Sequence, residues 1–164
     1  LDHLREKRPD CKPHVILTSP QGRVLTQEIA EELTQRERLT LICGHYKGVD
    51  QRAIDKHVDE ELSIGDYILT GGELPAAVIV DSVVRLLPGV LGDPESAAGD
   101  SFSSGLLDHP HYTQPASWNG EDVPDVLTSG HHANVAKWRL EQRIERTKRL
   151  RPDLYEKWKR SQDS

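Results

Sequence analysis

Three short apolar runs, each stopped by glycine or proline, set the rhythm of the first half of the chain. His14-Val15-Ile16-Leu17-Thr18 is β-branched and unbroken, and Ser19-Pro20-Gln21-Gly22 ends it as a turn. Leu39-Thr40-Leu41-Ile42-Cys43 repeats the pattern and stops at Gly44. A third strand is predicted from Leu62 to Leu69, running into Gly71-Gly72. Between these runs the apolar spacing becomes helical. Thr26 is placed to cap a helix reaching residue 36, with Ile29, Ala30 and Leu33 as its stripe. A short helix follows Asp50 and uses Ala53, Ile54 and Val58. A nearly all-apolar helix runs from Pro75 to Leu87, where Pro88-Gly89 stops it. Buried strands that alternate with helices predict an α/β fold with a parallel sheet, not a bundle or a sandwich.

The second half changes character. Residues 93–105 have the composition of a flexible linker, and residues 106–130, with Pro110, Pro115 and Pro124, read as irregular. Residues 131–149 form a basic amphipathic helix carrying Val135, Trp138, Leu140 and Ile144. A shorter helix around Leu154, Tyr155 and Trp158 follows. The expected organisation is a domain over residues 1–92, the linker over 93–105 and a small helical domain over 106–164, without internal repeats.

Charge sharpens that division. The net charge is −6, yet residues 131–164 alone carry 10 Lys/Arg against 5 Asp/Glu. An acidic body with a basic helical tail suits either a polyanion partner or a solvated, salt-bridged surface helix. No apolar run reaches the length of a membrane span and no secretory signal is visible. Cys11 and Cys43 match no metal or redox spacing, so two free thiols in a reducing cytoplasm are expected. The chain starts at Leu1 and contains no methionine, which leads us to expect a processed product or a fragment.

The chemistry concentrates in residues 63–76, where an apolar segment meets Gly71-Gly72, then Glu73-Leu74-Pro75 and the apolar helix. Glycine lacks a Cβ and lets bare backbone approach a ligand. Pro75, near the helix start, loses no needed N–H. Strand end, glycine loop and helix N-terminus together make either a tight β–α turn or a ligand cradle. Three such strand ends offer loops at residues 19–22, 44–49 and 65–72. Ligands of open parallel sheets sit at the carboxyl ends of strands, so convergence of these loops would build a site. No dinucleotide fingerprint or phosphate loop is present. Glu73, at the start of the helix, would repel a phosphate, so a phosphate-free or zwitterionic ligand fits better.

These motifs, in order, resemble the bacterial tRNA (guanine-N1)-methyltransferase family. Leu17-Thr18-Ser19-Pro20-Gln21-Gly22, Cys43-Gly44-His45-Tyr46-Lys47-Gly48-Val49-Asp50 and residues 63–75 carry the likeness. Pro88-Gly89-Val90-Leu91-Gly92, Asp100-Ser101-Phe102, Gly105-Leu106-Leu107, Pro110-His111-Tyr112-Thr113 and Ser129-Gly130-His131-His132-Ala133 continue it across essentially the whole chain. That family's chains are longer, with an upstream segment supplying a first strand and a glycine-rich loop. The resemblance implies a trefoil-knotted SPOUT fold, an exception to the rule that chains are unknotted. It also implies S-adenosylmethionine as methyl donor, N1 of tRNA guanosine 37 (just 3′ of the anticodon) as acceptor, and a cytoplasmic homodimer.

By motif match, Pro20, Gly22, Gly44, Tyr46, Ile64, Tyr67, Leu69, Gly71 and Pro75 would line the cofactor pocket, largely through backbone groups. Arg85, four residues after Asp81, reads on its own as half of an i,i+4 ion pair. The resemblance assigns it to the guanine, steadying negative charge on O6. Asp100 reads alone as a solvated loop carboxylate, and through the resemblance as the general base that removes the N1 proton. A mobile linker would let it close over bound substrate, reaching the other subunit's pocket. The family's second loop often reads Gly-Arg-Tyr-Glu-Gly, and its glutamate is linked to a helping magnesium ion. Lys47 stands there instead and cannot ligate one, so a magnesium requirement does not carry over with this loop. His45 and Lys47 are then read as RNA-phosphate contacts or a plain surface pair.

Lys137, Arg139, Arg143, Arg146, Lys148 and Arg149 resemble the family's tRNA-gripping helices, with Trp138 as core of that small domain. His131-His132 is not a metal pair, since adjacent helical residues point apart, and no metal ligands are assigned. The competing reading is a non-catalytic cofactor- or RNA-binding fragment, because the upstream segment is absent from this sequence.

Overall fold

The computed structural model describes residues 12–92 and 99–163. Expectations for residues 1–11, including Cys11, and for residues 93–98 lie outside them. The chain divides into two compact units between residues 94 and 95.

The first unit is built on three parallel strands, β1 (His14–Val24), β2 (Leu39–Cys43) and β3 (Glu60–Ser63), in the order β2-β1-β3. Helices α1 (Gln27–Thr34), α2 (Gln51–His57) and α3 (Glu73–Val84) connect and follow them. Parallel neighbours need crossovers, and α1 and α2 supply them. Thr26 caps α1 by accepting from the Ile29 N–H at 3.4 Å, and Asp50 caps α2 by accepting from the Arg52 N–H at 2.9 Å. Ile16 and Leu62 from the sheet meet Ile29, Ala30 and Leu33 of α1 and Ile79 and Val83 of α3, forming an aliphatic core. Val15 and Leu17 alternate with Ile16 and are buried on the opposite sheet face.

Two expected boundaries shift. The third strand stops at Ser63 instead of continuing to Leu69, because Gly65 turns the chain at φ +142°. A side chain there would lie 2.6 Å from the Tyr67 ring, so only glycine permits the bend. Helix α3 starts at Glu73 and ends at Val84, three residues short of Leu87. Leu86 and Leu87 instead bond back to Val83 and Val84 in a tightened last turn before Gly89 at φ +80°. Of the apolar surface of α3, Ala76, Ile79 and Val83 are buried, while Leu74, Val78, Val80 and Val84 stay exposed.

The second unit contains a two-stranded hairpin, β4 (Ser117–Trp118) and β5 (Glu121–Asp122), then α4 (Asp125–Thr128), α5 (His132–Leu150) and α6 (Pro152–Gln162). The segment expected to be irregular therefore holds a hairpin. Asn119 and Gly120, both at positive φ, make its two-residue turn, and the Asn-Gly pair is the signal that marks it. Residues 101–105, expected as open linker, form a turn held on α5. Arg143 donates to the Ser104 hydroxyl at 2.8 Å and to the Leu107 carbonyl at 3.3 Å. The fully buried Thr147 hydroxyl accepts from the Leu107 N–H at 2.9 Å and donates to the Arg143 carbonyl at 2.6 Å. Among the described residues no helix is long and apolar enough to cross a membrane.

Candidate functional site

The three loops expected to converge do so, one after Thr18 within β1 and two at the carboxyl ends of β2 and β3, around a cavity of about 610 Å³. The first loop is an excursion within β1. Thr18 pairs with Leu62 of β3, residues 19–22 leave the sheet, and Arg23 returns to pair with the same Leu62. Gly22 makes the return possible, because a Cβ there would sit 2.3 Å from the Glu61 carbonyl carbon. The second loop turns through Tyr46 at φ +57° and Gly48 at φ +134°, closed by the Gly48 N–H on the His45 carbonyl at 3.2 Å. The third runs from Ile64 through bends into the N-terminus of α3.

One hydroxyl and one glycine seam these loops together. The buried Thr18 side chain lies 3.2 Å from the Ile42 carbonyl and 3.3 Å from the Gly72 carbonyl, the two acceptors open to its hydroxyl. The Gly72 N–H donates to the Gly44 carbonyl at 3.1 Å, and His45 forms a backbone bridge with Gly71. Strand β1, the end of β2 and the start of α3 are thereby fixed at one point. Thr18 was not among the candidate residues. A polar residue closing an apolar strand beside a turn was its sequence signal.

Pro20 from the first loop, Gly44 and Tyr46 from the second, and Ile64, Tyr67, Leu69 and Gly71 from the third all border the cavity, as does Pro75 of α3. Gly22 does not. It packs on the β3 backbone and acts by letting the loop close. The Tyr46 side chain points fully into solvent, so its contribution to the cavity is backbone. Arg85 caps the far end of α3, half-buried and ten residues beyond Pro75, which is about 15 Å along a helix. It is not part of the lining. Asp100 belongs to the second unit and is half-buried there.

The electrostatics at the cavity rim differ from a phosphate site. The Glu73 carboxyl is held below its ordinary pKa, first by its own backbone N–H at the helix start and further by His45. His45 Nε2 and Glu73 Oε1 are 2.5 Å apart, so this imidazole is already engaged instead of being held out for RNA phosphate. Burial, then the nearby Glu73 charge, pushes the Cys43 thiol up and keeps it protonated. Lys47 and Glu61, of opposite sign, both reach the lining.

In the second unit Trp138 is half-buried, with His109 and Tyr112 at ring-centroid distances of 6.5 and 6.4 Å. His131 precedes α5 and His132 begins it, both exposed. Lys137 and Arg139 lie on the exposed surface of α5.

A parallel α/β unit with glycine loops gathered around one cavity at its strand ends defines a small-molecule-binding domain of the open-sheet class. Residues 1–157 match the family described as tRNA (Guanine-1)-methyltransferase TrmD, and the chain belongs to that family. It is 58% identical over 146 residues to a tRNA (guanine-N(1)-)-methyltransferase of Ruminiclostridium cellulolyticum, covering 89% of this chain and 63% of the relative. A protein of the same name from Brevibacillus brevis is 60% identical over 146 residues, covering 89% of this chain and 60% of the relative. One from Ralstonia nicotianae is 55% identical over 156 residues, covering 95% and 60% respectively. The chain thus spans 60–63% of the length of these curated relatives.

Proposed function

We propose that the protein methylates N1 of guanosine 37 in tRNA with S-adenosylmethionine as donor, working as a cytoplasmic homodimer with a trefoil-knotted cofactor domain. The observation that carries this reading is the convergence of three separate glycine loops on one cavity in a chain of this family. Its volume of about 610 Å³ falls in the range of small-molecule and cofactor sites.

The residues present fit the donor. Gly44, Gly71 and the backbone at Tyr46 offer main-chain groups where adenine and methionine polar edges need partners. Ile64, Leu69 and Pro75 supply apolar contact, and Lys47 with Glu61 suits a zwitterionic amino-acid end. When bound, S-adenosylmethionine supplies an electrophilic methyl group. Asp100 accepts the N1 proton of guanine, which must leave for that nitrogen to take a methyl group. Arg85 steadies the negative charge that gathers on O6 as the proton departs. In this reading Arg85 and Asp100 complete a partner subunit's cavity, and the exposed Leu74, Val78, Val80 and Val84 of α3 are the surface on which copies pair. The domain over residues 106–164 grips tRNA through Lys137, Arg139 and neighbouring cations, whose phosphate contacts set register. A magnesium ion does not fit at the second loop, since the Lys47 ammonium has no lone pair to give.

The test has two arms. Calorimetry with S-adenosylhomocysteine should show saturable binding, and labelled methyl should enter a tRNA transcript with guanosine at position 37 but not one with adenosine there. Binding without methyl transfer would support the non-catalytic reading instead. Absence of both would remove the cofactor assignment.

A further inference from the structure

We propose that Asp108, His109 and His111 form a binding site for one divalent transition-metal ion of the zinc class. One ligand atom from each of the three lies within 4.8 Å of the others. His111 Nε2 is 2.7 Å from one Asp108 oxygen, and His109 Nε2 is 3.8 Å from the other. Ligand atoms around a tetrahedral zinc ion lie ~3.3–3.6 Å apart, given bonds of about 2.0–2.2 Å. The observed spacings bracket that value, so small side-chain rotations suffice to close the site. The two imidazole centroids are 4.5 Å apart and tilted by 42°, so the rings lean together instead of stacking flat.

The hydrogen bonds around His109 favour a cation at the centre. Its Nδ1 lies 3.0 Å from the Pro110 carbonyl, which only accepts, so the proton belongs on Nδ1 and the Nε2 lone pair faces Asp108. Such an outer hydrogen bond is what orients a metal-bound imidazole. Two electron-rich atoms, His109 Nε2 and Asp108 Oδ1, then confront each other at 3.8 Å, an arrangement that a cation between them relieves. The carboxylate is held in place by the His109 N–H at 2.7 Å. The segment is anchored in turn: Ser101 accepts from the Asp108 N–H at 2.9 Å, and Leu107 bonds Thr147 of α5.

Burial defines an inner and an outer side. The side chains of Asp108 and His109 are 21% and 15% exposed, whereas His111 is 68% exposed. His111 also borders a second cavity, of about 480 Å³, lined by the β4–β5 hairpin. An ion reaches the site from that side, and the fourth position stays open to water. Two imidazoles and one carboxylate suit zinc, cobalt or nickel; magnesium and calcium prefer all-oxygen shells.

Cobalt(II) titration of the tag-free, chelator-treated full chain tests this. One equivalent should bind, with visible d–d bands, no thiolate charge-transfer band and stoichiometric displacement by zinc. His111→Ala, on the exposed side, should weaken binding by more than the about 10–100-fold that outer-sphere changes cost, and Asp108→Asn should do the same. His132→Ala should match the parent. Circular dichroism of each metal-free variant checks that the fold survives. Absence of saturable one-to-one binding, parental affinity in folded His111→Ala, or displacement of cobalt by millimolar magnesium would each overturn the assignment. In the first case a proton, not a metal, bridges His111 and Asp108, whose atoms lie 2.7 Å apart.

Discussion

Gly72 is the position where one methyl group probes the whole site. A Cβ there would lie 2.3 Å from Thr18 Oγ1, 2.7 Å from Cys43 Cα and 2.9 Å from Gly44 N. Carbon atoms pack best at about 3.5–4.0 Å, so each contact is too short by half an ångström or more. Two of the three atoms are backbone and cannot rotate away. Gly72→Ala must therefore push α3 from the ends of β1 and β2. That strains the Gly72–Gly44 hydrogen bond at 3.1 Å and the 3.3 Å approach of Thr18 to the Gly72 carbonyl. Overpacking of this kind costs about 1–3 kcal/mol. The displaced groups also frame the cavity, so affinity for S-adenosylhomocysteine should fall about tenfold or more, equivalent to ~1.4 kcal/mol. Urea unfolding followed by circular dichroism gives the first quantity and calorimetry the second. Gly92→Ala is the reference, since a Cβ on Gly92 meets nothing within 4 Å among the described residues and should shift stability by no more than about 0.5 kcal/mol. If Gly72→Ala behaves like Gly92→Ala in both measurements, the seam is not what holds the loops together. If stability falls while affinity is unchanged, the ligand does not occupy this cavity.

Asp100→Ala and Arg85→Ala should each leave S-adenosylhomocysteine binding nearly intact while single-turnover methyl transfer falls by about 10²–10⁴-fold, the usual scale of acid–base assistance; unchanged turnover would remove the residue from its role. Neutralising Lys137 and Arg139 together should flatten the salt dependence of tRNA binding by between one and two units of log–log slope, read by filter binding at several salt concentrations. Arg143→Ala should instead lower the stability of the second unit, because this guanidinium holds Ser104 and Leu107. Asp50→Ala should lower the urea midpoint by uncapping α2. The Asp50 carboxyl is held below its ordinary pKa by the Arg52 side chain and then the Arg52 N–H. Its contribution is therefore full above the ordinary carboxylate range and lost as pH falls through the depressed folded value, so parent and variant should converge in strong acid.

Local chemistry was legible where a residue's task depends on its immediate neighbours. Thr26 and Asp50 cap helices because a hydroxyl or carboxylate reaches N–H groups two or three residues on, and spacing alone reveals that. The apolar runs at 14–18 and 39–43 became strands for a similar reason. Pairing was not legible. The return of β1 at Arg23 onto the same Leu62 that Thr18 uses depends on a partner forty residues away, and no local pattern records it. The early end of β3 follows from Gly65, whose apolar neighbours Ile64, Ile68 and Leu69 mimic a strand but serve a turn and a cavity wall. Arg143 read as a phosphate contact because its charge is visible in sequence, whereas Ser104 and Leu107, its partners, lie 39 and 36 residues away. The Asp108-His109-His111 cluster went unnoticed for a different reason. Attention to spacing dismissed adjacent histidines at 131 and 132, yet the non-helical segment at 108–111 brings ligand atoms together that a helix would have spread.

The start of α3 decides what kind of ligand the cavity can accept. A helix N-terminus ordinarily attracts anions, through unpaired N–H groups and the helix dipole. Here Glu73, the first residue of α3, has already supplied the anion. Its own N–H and His45 hold the carboxylate ionised, so the positive end of the helix is answered from within the chain. A phosphate brought to that end would meet a carboxylate instead of open donors. Lys47 and Glu61 on the lining then offer one charge of each sign, beside neutral polar groups such as Ser19, Gln21 and Thr70. Such a lining rewards a ligand with a cationic centre and a zwitterionic end, and penalises a polyphosphate. The sulfonium and amino-acid groups of S-adenosylmethionine have that distribution, which is why the charge at Glu73 and the glycines at 44, 71 and 72 support the same reading from independent directions.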